Sequence, residues 1–250
     1  MNITAPFAAS DLEELDTRLL SRADRVVPMH DVARGDTGPN VIGMRHDVDD
    51  NPGSLETALA MARWEFSRGY SSTYYLLHGA YYWDEVLDAA RQFEELGHEV
   101  GIHVNALAEA LRTGRDPHVL LDEELTHLRT AARVVGCVAH GDPLCRNGDV
   151  LAFVNDEMFS ESARPDVGPA TRTLAYNGHR IRIAPIPRAT YGLEYDANWL
   201  SRGDYISDSG GRWSQPFERV VSGFSTRGQL HMLIHPDWWA EAFSPAEVAA

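Results

Sequence analysis

The sequence predicts an α/β fold: a distorted (β/α) barrel of about seven parallel strands, with residues 1–250 forming a single domain. Three observations lead there. Apolar runs rich in β-formers alternate with helical stretches between residues 40 and 141. The helical stretches end at glycine. Histidine or aspartate stands just after one predicted strand after another, as expected where a barrel gathers its functional residues at the C-terminal rim.

Taken in order, "NVIGMRHD" (40–47) is a buried strand. "GSLETALAMARWEFSRG" (53–69) is a helix, with Leu55, Leu59, Ala62 and Phe66 at helical spacing, Ser54 as cap and Gly69 as stop. "SSTYYLL" (71–77) is the second strand, "YWDEVLDAARQFEELG" (82–97) the second helix and "HEVGIHV" (98–104) the third strand. A helical region follows, clearest over 118–136, and "CVAHG" (137–141) is the fourth strand. Strand and helix in repeated alternation build a parallel sheet with crossover helices. Further on, 150–155, 173–186 and 230–235 are expected as strands, and "YISDSGGRW" (205–213) as a loop.

Composition narrows the function. With 250 residues, 44% apolar and 24% charged, the chain suits one large globular domain. A formal net charge of −15 gives no general attraction to phosphate, so no nucleic acid is expected. No apolar run is long enough to cross a bilayer and the N-terminus has no secretory pattern, so the expectation is a cytoplasmic protein without a membrane partner. Lysine is absent; all 22 basic residues are arginine, which removes Schiff-base chemistry. Cys137 and Cys145 match no zinc-knuckle spacing and are expected as plain thiols. There is no G-x-S-x-G elbow and no P-loop.

Five strand ends carry histidine or aspartate: Asp47 with Asp49, His78, His103, His140 with Asp142, and His235 with Asp237. Asp47 and Asp49 are two apart and share a strand face. A carboxylate with imidazoles from neighbouring strands suits a divalent metal, most simply zinc, with one position open to water. Asp49, His103 and His140 are the expected ligands. Hydrolysis then needs a base and an acid, for which Asp47 and His235 are placed.

"RHDVDD", "LGHEVGIHVN", "AHGDP", "YISDSGGRW" and "LIHPDWW", in this order over roughly residues 40–240, resemble the polysaccharide deacetylase superfamily (carbohydrate esterase family four, NodB-like), in particular its intracellular branch with RHDVD and HPxWW signatures. The resemblance implies a distorted barrel and a zinc-type metal. Known members mostly remove acetyl groups from N-acetylated sugars, and some cleave other non-peptide amides. Position by position it implies Asp47 as base, Asp49 and His103 as metal ligands and His235 as acid, with "SDSGGRW" supplying residues around His235. Asp142, Arg146, Asp208, Trp213 and Trp238 are the expected substrate-binding residues. The family's second metal histidine falls at Leu107, and its arginine-proline segment is here "HGDPLCR". Either His140 replaces the missing ligand, or the metal is held more weakly, or there is none.

The expected activity is therefore a metal-dependent deacetylase or amidohydrolase acting on a small N-acylated, sugar-like substrate. The competing readings are a non-catalytic or metal-free barrel that binds a sugar-like ligand, and a metal-independent hydrolase of cyclic amides.

Overall fold

The structure, a computed structural model, describes residues 6–35, 38–146, 154–162, 171–200, 203–227 and 229–244. In chain order its elements are α1 (Ala9–Arg18), β1 (Arg25–Val27), α2 (Met29–Ala33), β2 (Val41–Val48), α3 (Ser54–Ser67), β3 (Thr73–Leu77), α4 (Val86–Glu95), β4 (Glu99–Val104), α5 (Ala106–Thr113), α6 (Pro117–Leu128), β5 (Gly136–Ala139), α7 (Pro143–Arg146), β6 (Arg172–Tyr176), β7 (His179–Ile183), β8 (Tyr195–Asp196), β9 (Asp204–Ser207), α8 (Phe217–Arg227) and β10 (Gln229–Ile234).

Parallel neighbours need crossovers, and those crossovers set helices against the outer face of the sheet. The strands run β8-β5-β4-β3-β2-β10-β9, seven in a row and all parallel, curled into a half-barrel. β1 pairs with the first half of the β2 edge whose second half pairs with β3. Among the described residues no strand joins β8 to β9, so the barrel is open there. The α/β barrel expectation therefore holds. No helix of the described residues is long and apolar enough to cross a membrane.

β2 is buried along its whole length, which removes any apolar–polar alternation from its sequence. Its two faces nonetheless meet different surroundings. Ile42, Met44 and Val48 pack into the outer layer with Met61, Leu55 and Ala58 of α3. On that side His46 Nε2 lies 2.8 Å from Glu65 Oε1 of the same helix. Inside the curl, Val41 packs with Met29 and Val32 of α2 and with Tyr75, Val138 and Tyr195. Tyr75 lies across β4 to meet the Tyr195 hydroxyl at 3.1 Å. Gly101 permits this, since a Cβ there would stand 2.3 Å from the Tyr75 ring.

The ends of β2 and β3 are tied by one side chain. The Tyr82 hydroxyl donates to Val48 O at 2.6 Å and accepts from Leu77 N at 2.9 Å, with the ring fully buried. Tyr82→Phe leaves both backbone groups unsatisfied and is expected to cost about 1–3 kcal/mol, read as a lower urea midpoint at unchanged slope.

Several expectations are amended. The buried face of α3 runs through Leu55, Ala58, Met61, Ala62 and Glu65, whereas Phe66 is 57% exposed; Ser54 is the first helical residue, after Gly53. The region 118–136 holds α6 only to Leu128, and Gly136 already belongs to β5. Within 205–213, residues Tyr205–Ser207 belong to β9, because pairing with β10 supplies the ladder that local turn chemistry conceals. The stretch 173–186 forms an antiparallel hairpin, β6–β7, outside the barrel, turning at Asn177 and Gly178 with positive φ at both. Of the strand expected over 150–155, residues 150–153 lie outside the described residues, and Asn155 opens a 3-10 turn.

Candidate metal centre and cleft

Asp49 follows β2, His103 is the penultimate residue of β4, and His140 follows β5. Parallel strands end at one rim, so these three distant segments converge. Asp49 Oδ1 is 3.3 Å from His103 Nε2 and 3.3 Å from His140 Nδ1, and the two nitrogens are 3.1 Å apart. The three could hold a metal ion. The Asp49 oxygen makes no well-directed hydrogen bond among the described residues despite those short distances. His103, 2% exposed, has its other nitrogen, Nδ1, 3.2 Å from Val138 O. Donation from Nδ1 to that carbonyl fixes the ring with Nε2 turned toward Asp49, the orientation in which metal-ligating histidines are held. Burial alone would raise the Asp49 carboxyl, but His103 and His140 outweigh it and hold it far below the ordinary carboxylate range.

His140 is set by a chain of amides. Asn155 Nδ2 donates to His140 O at 2.8 Å and to Asn105 Oδ1 at 3.0 Å. Asn105 Nδ2 in turn donates to Asp142 Oδ2 at 3.2 Å. Asp142 also accepts from Leu144 N at 2.9 Å and from Arg112 Nη2 at 2.7 and 2.8 Å. Burial works to raise Asp142, yet these donors leave it below the usual carboxylate range. Leu107 is fully buried in the apolar core and offers no ligand to the rim.

Asp47 points into the curl beside Arg45, whose Nε is 3.8 Å from Asp47 Oδ1. That oxygen has no hydrogen-bond partner among the described residues. Arg45 is anchored from the far side by Asn198 Oδ1 at 3.1 Å. His235 follows β10, the other neighbour of β2, one register step from the Ile234–His46 pair. Asp208, fully buried, lies 2.7 Å from His235 Nδ1 and accepts from His235 N at 3.0 Å and Trp239 Nε1 at 2.9 Å. Burial would lower the His235 imidazolium, but the Asp208 hydrogen bond and the charges of Asp208, Asp47 and Asp49 prevail and lift it to about 9.

A cleft of about 570 Å³ opens over this rim, with Asp49, His78, Asn105, Glu109, His140 and Asp142 in its lining. Of the residues expected to bind substrate, Asp142 lines the cleft but is committed to Arg112, and Asp208 holds His235. Trp213 stacks on Phe217 and tilts against Phe7. Trp238, partly buried in the same cluster, accepts Phe7 N at its backbone oxygen. Neither tryptophan borders the cleft. The side chain of Arg146 lies outside the described residues. Sequence reading missed Arg45, Asn105, Arg112 and Asn155. Arg45 was visible inside "RHDVDD" and Asn105 closes "LGHEVGIHVN"; Arg112 and Asn155 carried no positional signal.

The chain matches no protein-family model, and no curated protein sequence matches it.

Proposed function

We propose that the protein is a metal-dependent deacetylase or amidohydrolase of the polysaccharide deacetylase type, acting in the cytoplasm on a small N-acylated, sugar-like substrate. The observation that carries this reading is the triangle of Asp49 Oδ1, His103 Nε2 and His140 Nδ1, with edges of 3.1–3.3 Å. Ligands about 2.0–2.1 Å from a tetrahedral zinc stand about 3.3–3.4 Å apart. The donor set suits zinc, and the Asp49 oxygen without a well-directed hydrogen bond is the group such an ion would satisfy. His140 thus takes the role that Leu107 cannot.

A zinc ion in that position supplies a Lewis acid that polarises an acyl carbonyl and lowers the pKa of water. The chain's own groups do the rest. Asp47 takes the proton of the attacking water through Oδ1. Arg45, 3.8 Å away, balances the charge of that carboxylate. His235, oriented by Asp208, gives a proton to the departing nitrogen. The cleft has the volume of a site for one small ligand.

The test begins with chelator-stripped protein assayed for acetate release from small N-acetylated amino sugars, with and without one equivalent of zinc. Release that depends on zinc is expected. No release from any acyl sugar, with sugar binding retained, favours a non-catalytic barrel. His140→Ala is expected to weaken zinc binding at least ~10-fold, by loss of a ligand, measured by competition with a chromogenic chelator. Unchanged affinity removes His140 from the ligand set.

A further inference from the structure

A second group of metal-capable side chains borders the same cleft. His78 follows β3, Glu109 lies in α5 and Glu124 in α6. His78 Nδ1 is 2.6 Å from Glu109 Oε2 and 3.0 Å from Glu124 Oε1. His78 and Glu109 line the cleft, and the Glu124 side chain sits behind them, 1% exposed.

The trio is unbalanced. Glu109 Oε1 and both Glu124 oxygens lack a hydrogen-bond partner among the described residues; Glu124 Oε1 is within ion-pair distance of His78 but off its hydrogen-bonding axis. Two carboxylates face one imidazole in a largely buried place, and with both carboxylates ionised a single imidazolium cannot balance them, which is unfavourable without a further counter-charge. The neighbouring cations are engaged elsewhere. Arg115 is paired with Glu123 at 2.7 and 2.8 Å, and Arg112 with Asp142. His127 packs on the Trp83 ring, which His78 also meets edge-on.

We infer that His78, Glu109 and Glu124 bind a second divalent cation, of the manganese type, in the wall of the cleft. Two carboxylates and one imidazole form a harder set than the first site, suited to a six-coordinate ion with water in its remaining positions. Adjacent ligands about 2.1 Å from an octahedral ion stand about 3.0 Å apart, the His78–Glu124 spacing. The cation takes the place of the proton between His78 and Glu109, which leaves to solvent. Its path in is the cleft itself, past His78.

The test uses the full chain loaded with one equivalent of zinc and titrated with Mn²⁺, following the free-ion signal by electron paramagnetic resonance. Wild type is expected to remove one equivalent of Mn²⁺. Glu124→Gln and His78→Ala, each checked for native circular dichroism, are expected to bind it at least ten-fold more weakly; if one fails to fold, the other decides. Asp49→Asn, titrated without zinc, should still take up the ion, so failure of the hydrolase reading leaves this result intact. Absence of stoichiometric uptake by wild type overturns the inference. So does weak uptake of several ions that is equal in wild type and in the folded variants, which marks nonspecific binding to an acidic surface.

Discussion

Asp47→Asn is expected to slow hydrolysis by ~10²–10⁴-fold, the usual contribution of a general base, while zinc content stays near wild type. The separation follows from geometry. Asp47 is not one of the three groups that converge on the candidate metal position, and its Oδ1 faces the curl without a hydrogen-bond partner. An amide in its place keeps the size of the side chain but cannot accept the proton of water. It also leaves Arg45 beside a neutral group, still anchored by Asn198. The measurement is kcat alongside metal content on the same preparation. Activity near wild type excludes Asp47 as the base; metal lost in parallel with activity makes it a ligand instead.

His235→Ala should cripple amide cleavage and spare a matched phenyl ester. A departing amine needs a proton, and a phenolate does not. Equal losses on both substrates would assign His235 to positioning. The pH profile gives a second readout. An ordinary histidine titrates near ~6.5, but His235 is lifted to about 9. The donor is therefore present below about 9, and the alkaline limb of kcat/KM is expected there. Asp208→Asn removes the hydrogen bond and charge that raise it, so the limb should move toward neutrality. A bound cation offsets the share owed to Asp49; the share owed to Asp208 remains. The sign for stability agrees: a raised histidine favours the folded state fully below its unfolded pKa of ~6.5, and that contribution fades as pH climbs through about 9. An alkaline limb already near pH 6.5 in the wild type would count against the pair.

The parallel strands and their rim were legible because the strands are short β-rich runs and α3 and α4 stop just before Gly69 and Gly97. The same logic pointed to Asp49, His103 and His140 as neighbours, and the structure brings them together. The less legible features depend on long-range contacts. β9 is strand only by virtue of β10, and the apolar pattern of α3 pointed to Phe66 although Glu65, one residue earlier, is the one buried against His46. The pairing of Asp208 with His235 joins residues 27 apart in sequence. Glu109 and Glu124 look like ordinary charges on amphipathic helices. Only the packing of α5 and α6 turns both toward His78.

The division of β2 between two surroundings bears on how the chain avoids misfolding. Val41, Ile42 and Met44 are apolar whichever way they face, so in the first half of the strand only Gly43, where a Cβ would stand 2.5 Å from Val32, opposes a shift in pairing. The second half opposes it more strongly. Sliding by one residue sends every side chain to the opposite side. Asp47 and Asp49 would then press against the apolar underside of α3, and His46 would leave Glu65 for the cleft. Two carboxylates would be stranded and the buried His46–Glu65 contact broken in a single move. Electrostatics thus proofreads an alignment that hydrophobicity leaves ambiguous, and the residues proposed for catalysis are also those that reject the wrong pairing.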